Sequence, residues 1–453
     1  MKKLYLSVLL IGNNMLFGLN DYTSQSAIQL RPGVQNLALW SSESGSSKIQ
    51  FVAFYQKAVG EQSGLAQYFL LGNKSEVTVK GDAVTTSDRD VRAEWLGLPD
   101  TYNGALMLNP QQKRFGGAIC AQRRLEHYFK SKIWQHFWIG LQIDLESVEQ
   151  QIGAQSVGAG VDDQLLVQFN RSELQYGKIG DAQTTSAGVS DVRLLLGVDY
   201  AGKHDLQLGL QSFLLVPGSW EQVVPEQLFT ARRGFGKHVG FGFGAQVQIP
   251  LLSNRSRSEL SGYLRSEVIG LLANQQLRVI DLKSKPWSRY LTLNKSDGSG
   301  NRPATTILTQ MVRVDPYATG ELMLGLQYKY RAFRAELSYG LWGHGSERIA
   351  LVNDFVTSYG IAGSALNKSA SASTIVAQGS DDTAFTVLQK LDLDLDSASA
   401  RAAITHRING QVGCVVQGKQ VDLALNGGVF YELPQNNAMV KQWGSYLNFS
   451  FLF

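Results

Sequence analysis

The last eleven residues of the chain alternate between apolar and polar or small side chains. The apolar set occupies odd positions: Trp443, Leu447, Phe449, Phe451 and Phe453. The other set occupies even positions: Gly444, Asn448 and Ser450, with an amphipathic Tyr446. A period of two places each set on one face of a β-strand. A bare apolar strand at an edge invites aggregation in water, whereas a closed barrel in lipid has no free edge.

The same period recurs upstream and predicts further strands of the same kind. We expect them at about 66–80, 113–126, 133–147, 189–200, 204–217, 236–250, 256–271, 318–330, 332–344, 398–415, 419–433 and 443–453. Runs of about 10 to 15 residues exceed an average sandwich strand and suffice to cross a bilayer at the usual tilt. One face of each carries ionised groups and the other hydrocarbon, which indicates a wall between water and lipid.

Short and long connections alternate along these strands without a break in parity. The long ones cover about 82–112, 148–188, 218–235, 272–317, 345–397 and 434–442. An all-β, antiparallel up-and-down barrel of about 12 strands follows, with its short turns at one end. The segment Lys48–Gln56 is also strand-like, so about 14 strands is the alternative.

The final strand resembles the C-terminal strand of bacterial outer-membrane β-barrel proteins, which commonly end in Phe after alternating apolar residues. The matching positions are Leu447, Phe449, Phe451 and Phe453. The resemblance implies short periplasmic turns, long extracellular loops, contact with outer-membrane lipids and lipopolysaccharide, and recognition of this strand by the barrel-assembly machinery. It covers about 11 residues and resembles porins in layout without indicating a particular family.

Composition agrees with this architecture and excludes other classes. The chain of 453 residues has 46 Gly, 10 Pro and a net charge of +4 without a basic block, so no nucleic-acid partner is predicted. Residues 1–18 have the charged start and short apolar run of a signal peptide. Residues 19–65 are expected to be a periplasmic or lumenal segment, or the first strands, and 66–453 the barrel. Cys120 and Cys414 are too few for a metal cluster.

The inward faces of the predicted strands carry charges of both signs. The cations are Arg193, Arg265, Lys329, Arg334, Arg401 and Arg407. The anions are Asp144, Glu146, Glu267, Glu321, Glu336, Asp422 and Glu432. Opposed rows of acids and bases would create a transverse field in a pore and orient polar solutes. The alternative is that these groups pair across neighbouring strands and fill a narrow lumen.

Two loop segments contain side chains that could bind a ligand. Asp392, Asp394 and Asp396 would share one face of a strand at about 7 Å spacing. Such a row of carboxylates could bind Ca²⁺, and the alternative is that it is a solvated extension of the strand. The basic and aromatic segment 285–290 would stack on sugars or pack on itself. Loop 345–397 would either fold inward as a constriction or stay outside.

The sequence therefore predicts a porin-like channel for passive diffusion of small polar solutes. The alternative is a filled-lumen barrel with a structural or adhesin role. An outer-membrane enzyme is less favoured because no catalytic signature occurs. No cofactor is expected apart from the Ca²⁺ considered above, and the oligomeric state is not predicted.

Overall fold

A computed structural model describes residues 47–59, 74–85, 88–126, 128–129, 132–158, 164–180, 183–202, 206–220, 224–254, 258–283, 285–362, 385–435 and 440–453. Twelve antiparallel strands close into one barrel. In chain order, β1 to β12 are Ser47–Ala58, Gln111–Arg124, Phe137–Gln151, Thr184–Ala201, Gln207–Pro217, Gly240–Asn254, Ser258–Leu271, Thr319–Tyr330, Phe333–His344, Ala403–Val416, Asp422–Pro434 and Gln442–Leu452. The predicted class and strand number are confirmed.

The barrel closes by pairing its first strand with its last. Phe51 of β1 lies opposite Phe449 of β12, and backbone bonds of 2.8 and 3.0 Å join Ser47 and Phe453 in both directions. On the outer face the Phe51 and Phe451 rings meet edge to face with centroids 6.3 Å apart. Every wall strand therefore has a hydrogen-bonded neighbour on both sides, as a hydrocarbon environment requires.

The prediction of the first strand was wrong. We expected 66–80, but the wall begins with Ser47–Ala58, which the sequence offered only as an additional strand. In the predicted segment, Glu76–Lys80 pairs in a small sheet outside the wall, and 60–73 lie outside the described residues. The pattern of β1 is weak because both of its faces contain apolar side chains, with Val52 and Phe54 pointing inward. The expected signal peptide, 1–18, also lies outside the described residues.

The barrel presents apolar side chains outward and polar ones inward. On β12, Leu447 and Phe449 are exposed on the outer face, whereas Asn448 and Ser450 are fully buried on the lumen face. The other strands also expose apolar side chains on the outer face, although several of their inward positions are apolar or aromatic. Cys120 points into the lumen and Cys414 belongs to the outer set, so both thiols are free. Among the described residues no helix is long and apolar enough to cross a membrane.

Inward aromatic rings lie directly opposite glycines of neighbouring strands at six places. The register pairs are Phe54 with Gly116, Trp138 with Gly197, Phe213 with Gly242, Tyr263 with Gly325, Phe430 with Gly444, and Tyr446 with Gly428. A Cβ added to any of these glycines would lie 2.2 to 2.7 Å from the ring. The glycines thus let bulky rings lie flat against the wall, as aromatic rescue of sheet glycines does.

The connections follow the predicted parity. Five are short or moderate: 125–136, 202–206, 255–257, 331–332 and 417–421. Six at the opposite end are mostly long: 59–110, 152–183, 218–239, 272–318, 345–402 and 435–441. Both ends of the described barrel, Ser47 and Phe453, lie at the short-turn end. In an outer-membrane barrel this end faces the periplasm.

The six long connections fold together into one body, which we call the cap. Its hydrophobic core contains 32 buried residues, and all of them lie in these connections rather than in the barrel strands. Trp95, Phe169, Phe229, Tyr290, Ile361 and Val440 represent the six connections in turn. Because the connections leave the rim all around the barrel, a core that they share must lie over its mouth.

Short elements build the cap. Its strands are Glu76–Lys80, Val91–Arg92, Asn103–Leu108, Ala154–Val157, Asn274–Val279, Asp281–Leu282, Thr292–Lys295, Asn301–Pro303, Thr309–Asp315, Arg348–Leu351, Tyr359–Ala362, Phe385–Val387 and Leu393–Asp394. Its α-helices are Gln164–Phe169 and Ala304–Leu308, and its 3-10 turns are Ala93–Leu96, Ser288–Tyr290, Lys390–Asp392 and Leu395–Ala398. One further 3-10 turn, Lys132–His136, lies at the opposite end.

The ring-on-glycine pairs lead to a test by overpacking. We expect Gly242→Ala to lower the free energy of unfolding by about 1 to 3 kcal/mol, because the new methyl group would meet the Phe213 ring at 2.2 Å. Adding Phe213→Leu should recover part of this loss. Denaturant unfolding of the refolded barrel in detergent measures both effects. Gly410→Ala is the control, since nothing lies within 4 Å of its added Cβ, and an equal loss there would contradict the interpretation.

Candidate functional site: the barrel lumen

The predicted lumen charges lie on the inward face of the wall, with one exception. Asp144 and Glu146 project from β3, Arg193 from β4, and Arg265 and Glu267 from β7; all five are buried. The others are Glu321, Lys329, Arg334, Glu336, Arg407, Asp422 and Glu432. Arg401 was predicted on a strand starting at 398, but β10 starts at Ala403. Arg401 therefore belongs to the cap connection that precedes the wall.

A segment of the connection 218–239 enters the outer mouth of the barrel. The backbone N–H of Gly234 donates to Glu146 at 3.2 Å, and that of Phe235 donates to Asp191 at 3.3 Å. Arg233 Nε donates to Ser186 Oγ at 2.9 Å. Carboxylates of β3 and β4 thus hold residues 233–235 against the lumen wall. Nothing in the sequence pattern of this segment indicated insertion.

The side chain of Phe235 anchors the inserted segment. It is buried in one cluster with lumen-facing apolar residues of β2 to β5 and β7: Cys120, Trp138, Leu195, Phe213, Leu215, Ile269 and Leu271. Loop 345–397 was considered as an inward constriction. Its described part pairs instead with the connection 272–318 inside the cap, and 363–384 lie outside the described residues.

Next to this apolar cluster, charges of opposite sign approach one another across the lumen. Arg193 Nη1 on β4 lies 3.5 Å from Glu267 Oε1 on β7, three strands away. Its Nε lies 4.0 Å from Asp144 Oδ2, and its guanidinium carbon lies 5.0 Å from the Phe213 ring centre. Arg265 Nη2 lies 3.8 Å from Glu267 Oε2. The side chains therefore span the lumen here instead of forming separated rows.

The opposite side of the lumen is filled in the same way. Arg407 bonds Glu321 at 3.0 Å and Glu432 at 3.2 Å, and Gln442 donates a short hydrogen bond to Glu432. The Tyr446 hydroxyl lies 2.8 Å from Asn409 Oδ1. Tyr263 donates a short hydrogen bond to Glu336. Three of these five pairs join strands that are not adjacent in the wall, so polar side chains fill this half of the lumen as a hydrogen-bonded network.

The lumen is more open toward the short-turn end. Lys329 is about half exposed there, and its Nζ lies 3.9 Å from Glu259. Arg334 donates to the carbonyls of Arg331 and Phe333 at the tight turn between β8 and β9. Asp422 accepts from the backbone of Gly418 in the turn before β11. A cavity of about 60 Å³ lies in this half of the lumen, against strands β1 to β7.

A polar cluster joins the base of the cap to the rim. His238 Nδ1 donates to Leu272 O at 2.8 Å, which leaves Nε2 to accept from the Gln276 amide at 3.0 Å. Gln276 Oε1 accepts a hydrogen bond from Arg278 Nη2, which also lies 3.3 Å from Glu347. Burial lowers the pKa of His238. Burial alone would raise the pKa of Glu347, but Arg278 holds it below its usual value.

The premise of the calcium prediction was wrong. Asp392, Asp394 and Asp396 do not lie along one extended strand, because two 3-10 turns flank a two-residue strand there. Asp392 instead accepts from the backbone N–H of Gln389 at 2.7 Å. Burial and the carboxylates of Asp396 and Asp281 raise the pKa of Asp394. Among the described residues, no three His, Cys, Asp or Glu side chains group so as to hold a metal ion.

Segment 285–290 packs on itself, the second of the two predicted alternatives. Trp287 and Tyr290 are buried with ring centroids 6.2 Å apart. Arg289 is fully buried, and Asp281 accepts hydrogen bonds from its guanidinium at 2.8 to 3.3 Å and from its backbone at 2.9 Å. The segment is therefore an internal part of the cap rather than a surface for stacking on sugars.

No protein-family model and no curated protein sequence matches the chain. Solved structures with a similar fold include an outer membrane channel from Pseudomonas putida F1, at 11% identity and TM-score 0.39 over 90% of this chain and 96% of that one. Others are a TodX monoaromatic hydrocarbon channel mutant (10%, 0.39, 95% and 94%) and the transport unit of the Escherichia coli autotransporter AIDA-I (8%, 0.35, 91% and 92%). The chain itself forms a closed barrel of twelve antiparallel strands.

The buried ion pair in the cap leads to a stability prediction. Asp281→Ala would leave the Arg289 guanidinium buried without its carboxylate, so we expect the cap to lose about 3 to 5 kcal/mol. Limited proteolysis of the cap, followed by gel analysis, measures the change. Asp297→Ala is the control, because its pair with Lys295 lies on the surface and should contribute little. Equal sensitivity of the two variants would contradict this assignment.

The His238 contacts predict that acid loosens the base of the cap. Protonated Nε2 would face the Gln276 amide, which also donates to Asn274 Oδ1, so two donors would meet. Because the folded protein favours neutral His238, cap stability should fall as pH drops through 6.5, the ordinary histidine value, toward the lowered pKa. Thermal unfolding of the cap at pH 7.5 and pH 5.5 measures this. His238→Gln should reduce the difference, and an unchanged difference would contradict the prediction.

Proposed function

We propose that this protein is an outer-membrane channel for small polar solutes and that its lumen is closed in the conformation described above. The observation that carries the proposal is the polar insertion of residues 233–235. Backbone hydrogen bonds to Glu146 and Asp191 hold this segment in the mouth. A connection held by a few such bonds and by one buried ring, Phe235, can leave, and Glu146, Asp191 and Ser186 on the wall behind it can then take up water.

The polar lining supports a preference for hydrophilic solutes. Carboxylates, guanidinium groups and amides alternate around the inner wall, so a hydrated solute would exchange water for equivalent partners. Arg193 on β4 and Glu267 on β7 lie 3.5 Å apart within the lumen, and this ion pair would have to separate before a solute passes between them. Passage would therefore be selective for small size, and the paired charges would orient dipolar solutes.

The proposed location gives each face a partner. The exposed apolar face would contact outer-membrane lipids, and the cap would lie among lipopolysaccharide headgroups. The outward side chains Leu447, Phe449, Phe451 and Phe453 of the final strand are exposed on the barrel, as a recognition signal for the barrel-assembly machinery requires. Their role as that signal stays a prediction.

The cap supports a second candidate function. The largest hydrophobic core of the described protein lies in the cap rather than in the barrel, and it joins all six long connections. A barrel that only anchors such a folded body would serve as an adhesin or structural protein, with its lumen filled permanently. The two functions differ in whether the 233–235 segment ever leaves the mouth.

Planar-bilayer conductance of the purified protein tests the proposal. We expect small, infrequent openings of the wild type and several-fold larger or more frequent openings when Phe235→Ser is combined with Arg233→Ala. The two changes remove the apolar anchor and the bond to Ser186. Glu226→Gln is the matched control, because it lies in the same connection with an exposed side chain. Silence of all three proteins over the tolerated voltage range would refute the channel and leave the structural alternative.

A further inference from the structure

The cavity in the short-turn half of the lumen is lined by an unusual set of side chains. Seven consecutive strands, β1 to β7, contribute to it. Three of the lining groups are cations, Lys48, Arg193 and Arg265, and all three are buried. One lining carboxylate, Asp199, is present. Taking charged groups out of water is unfavourable unless opposite charges compensate them. Glu267 and Asp144 approach Arg193 and Arg265 from outside the lining, so among the groups that face the cavity cations outnumber carboxylates three to one, which favours an anion.

Arg193 supplies a donor that the described protein does not use. Its side chain is about 2% exposed, and its Nε–H makes no hydrogen bond. The carboxylates of Glu267 and Asp144 lie 3.5 and 4.0 Å away, beyond the roughly 2.7 to 2.9 Å of a charge-assisted hydrogen bond. The guanidinium thus retains capacity for a closer anionic partner.

The remaining lining agrees with a small polar ligand. Gln122 and Gln246 offer amide groups, and the indole of Trp138 lies in the wall of the cavity. A volume of about 60 Å³ compares with roughly 10 to 15 Å³ for one water molecule on the same measure, so about four to six non-hydrogen atoms fit. Inorganic phosphate and acetate are of this size, and they offer an acceptor to the Arg193 Nε–H that a hydrocarbon lacks.

We propose that this cavity, which we call the lumen anion site, binds a small oxyanion of the carboxylate or phosphate type. The ligand bridges Lys48, Arg193 and Arg265 across the barrel. The proposal rests on the proposed function in one respect, namely that the site lies on a solute's path. The cap and Phe235 occupy the opposite end of the lumen, so the anion reaches the site from the short-turn end.

Equilibrium dialysis of the full-length barrel in detergent, at low ionic strength, tests the site with labelled inorganic phosphate and labelled acetate. We expect saturable binding of one anion per barrel. Lys48→Met and Arg265→Met should each weaken it about tenfold or more, because each removes a buried cation that lines the cavity. Lys329→Met is the matched control. It also removes a lumen cation near the short-turn end, but Lys329 does not line the cavity, so affinity should be unchanged.

Two further binding measurements can overturn the proposal. Methylammonium and glycerol are small polar solutes without negative charge, and binding of either as tight as that of phosphate would overturn the anion preference. Absence of saturable anion binding by a wild-type barrel that shows heat-modifiable migration would overturn the site itself. If a Met variant fails to fold, phosphate-dependent protection of the wild type against thermal unfolding, absent with methylammonium, supports the site, and no protection overturns it.

The outcome separates the site from the proposed function. Saturable phosphate or acetate binding by a barrel that conducts no current supports the lumen anion site and refutes the channel. Conductance without saturable binding supports the channel and overturns the site. Preference between the two probes identifies the ligand chemistry, because acetate offers one carboxylate edge and phosphate offers oxygens on all sides to Lys48, Arg193 and Arg265.

Discussion

The pairing of β1 with β12 is the constraint on which the rest of the structure depends. Hydrocarbon offers no hydrogen bonds, so every strand of the wall needs a neighbour on both sides. Ser47 and Phe453 bond each other at the seam, and the Phe51 and Phe451 rings cover it from outside. Once the ring is closed, alternation along each strand sends one set of side chains to lipid and the other to the lumen, and the lumen contents follow from that division.

Closure also determines how the interior must be packed. Twelve strands enclose a limited space, and the side chains that point into it include charged groups as well as bulky aromatic rings. Glycines opposite Trp138, Phe213 and Tyr263 make room for rings against the wall. Arg193 and Arg407 reach strands that are not their neighbours and neutralise carboxylates there. The interior is therefore packed like a polar protein core, and a cavity of about 60 Å³ lies near the short-turn end.

The sequence predicted what depends on local periodicity and missed what depends on distant contacts. Alternation placed Arg193, Glu267 and Arg407 on the lumen face, and connection lengths gave the correct parity. The first strand was misplaced because Val52 and Phe54 blur the pattern of β1. The insertion of Phe235 leaves no periodic signal, since it depends on partners in five other strands. Asp392 to Asp396 alternate as a strand would, yet contacts with the connection 272–318 bend that segment into turns.

The shared core of the cap has a consequence for how other molecules recognise this protein. Residues that lie together on the surface of the cap come from six connections spread over about four hundred positions, and Trp95, Phe169 and Tyr290 hold them in one body. The visible surface is therefore discontinuous in sequence and exists only after the whole ring has formed. An antibody that binds this surface would recognise a conformational epitope, and a peptide copied from a single connection would reproduce little of that shape.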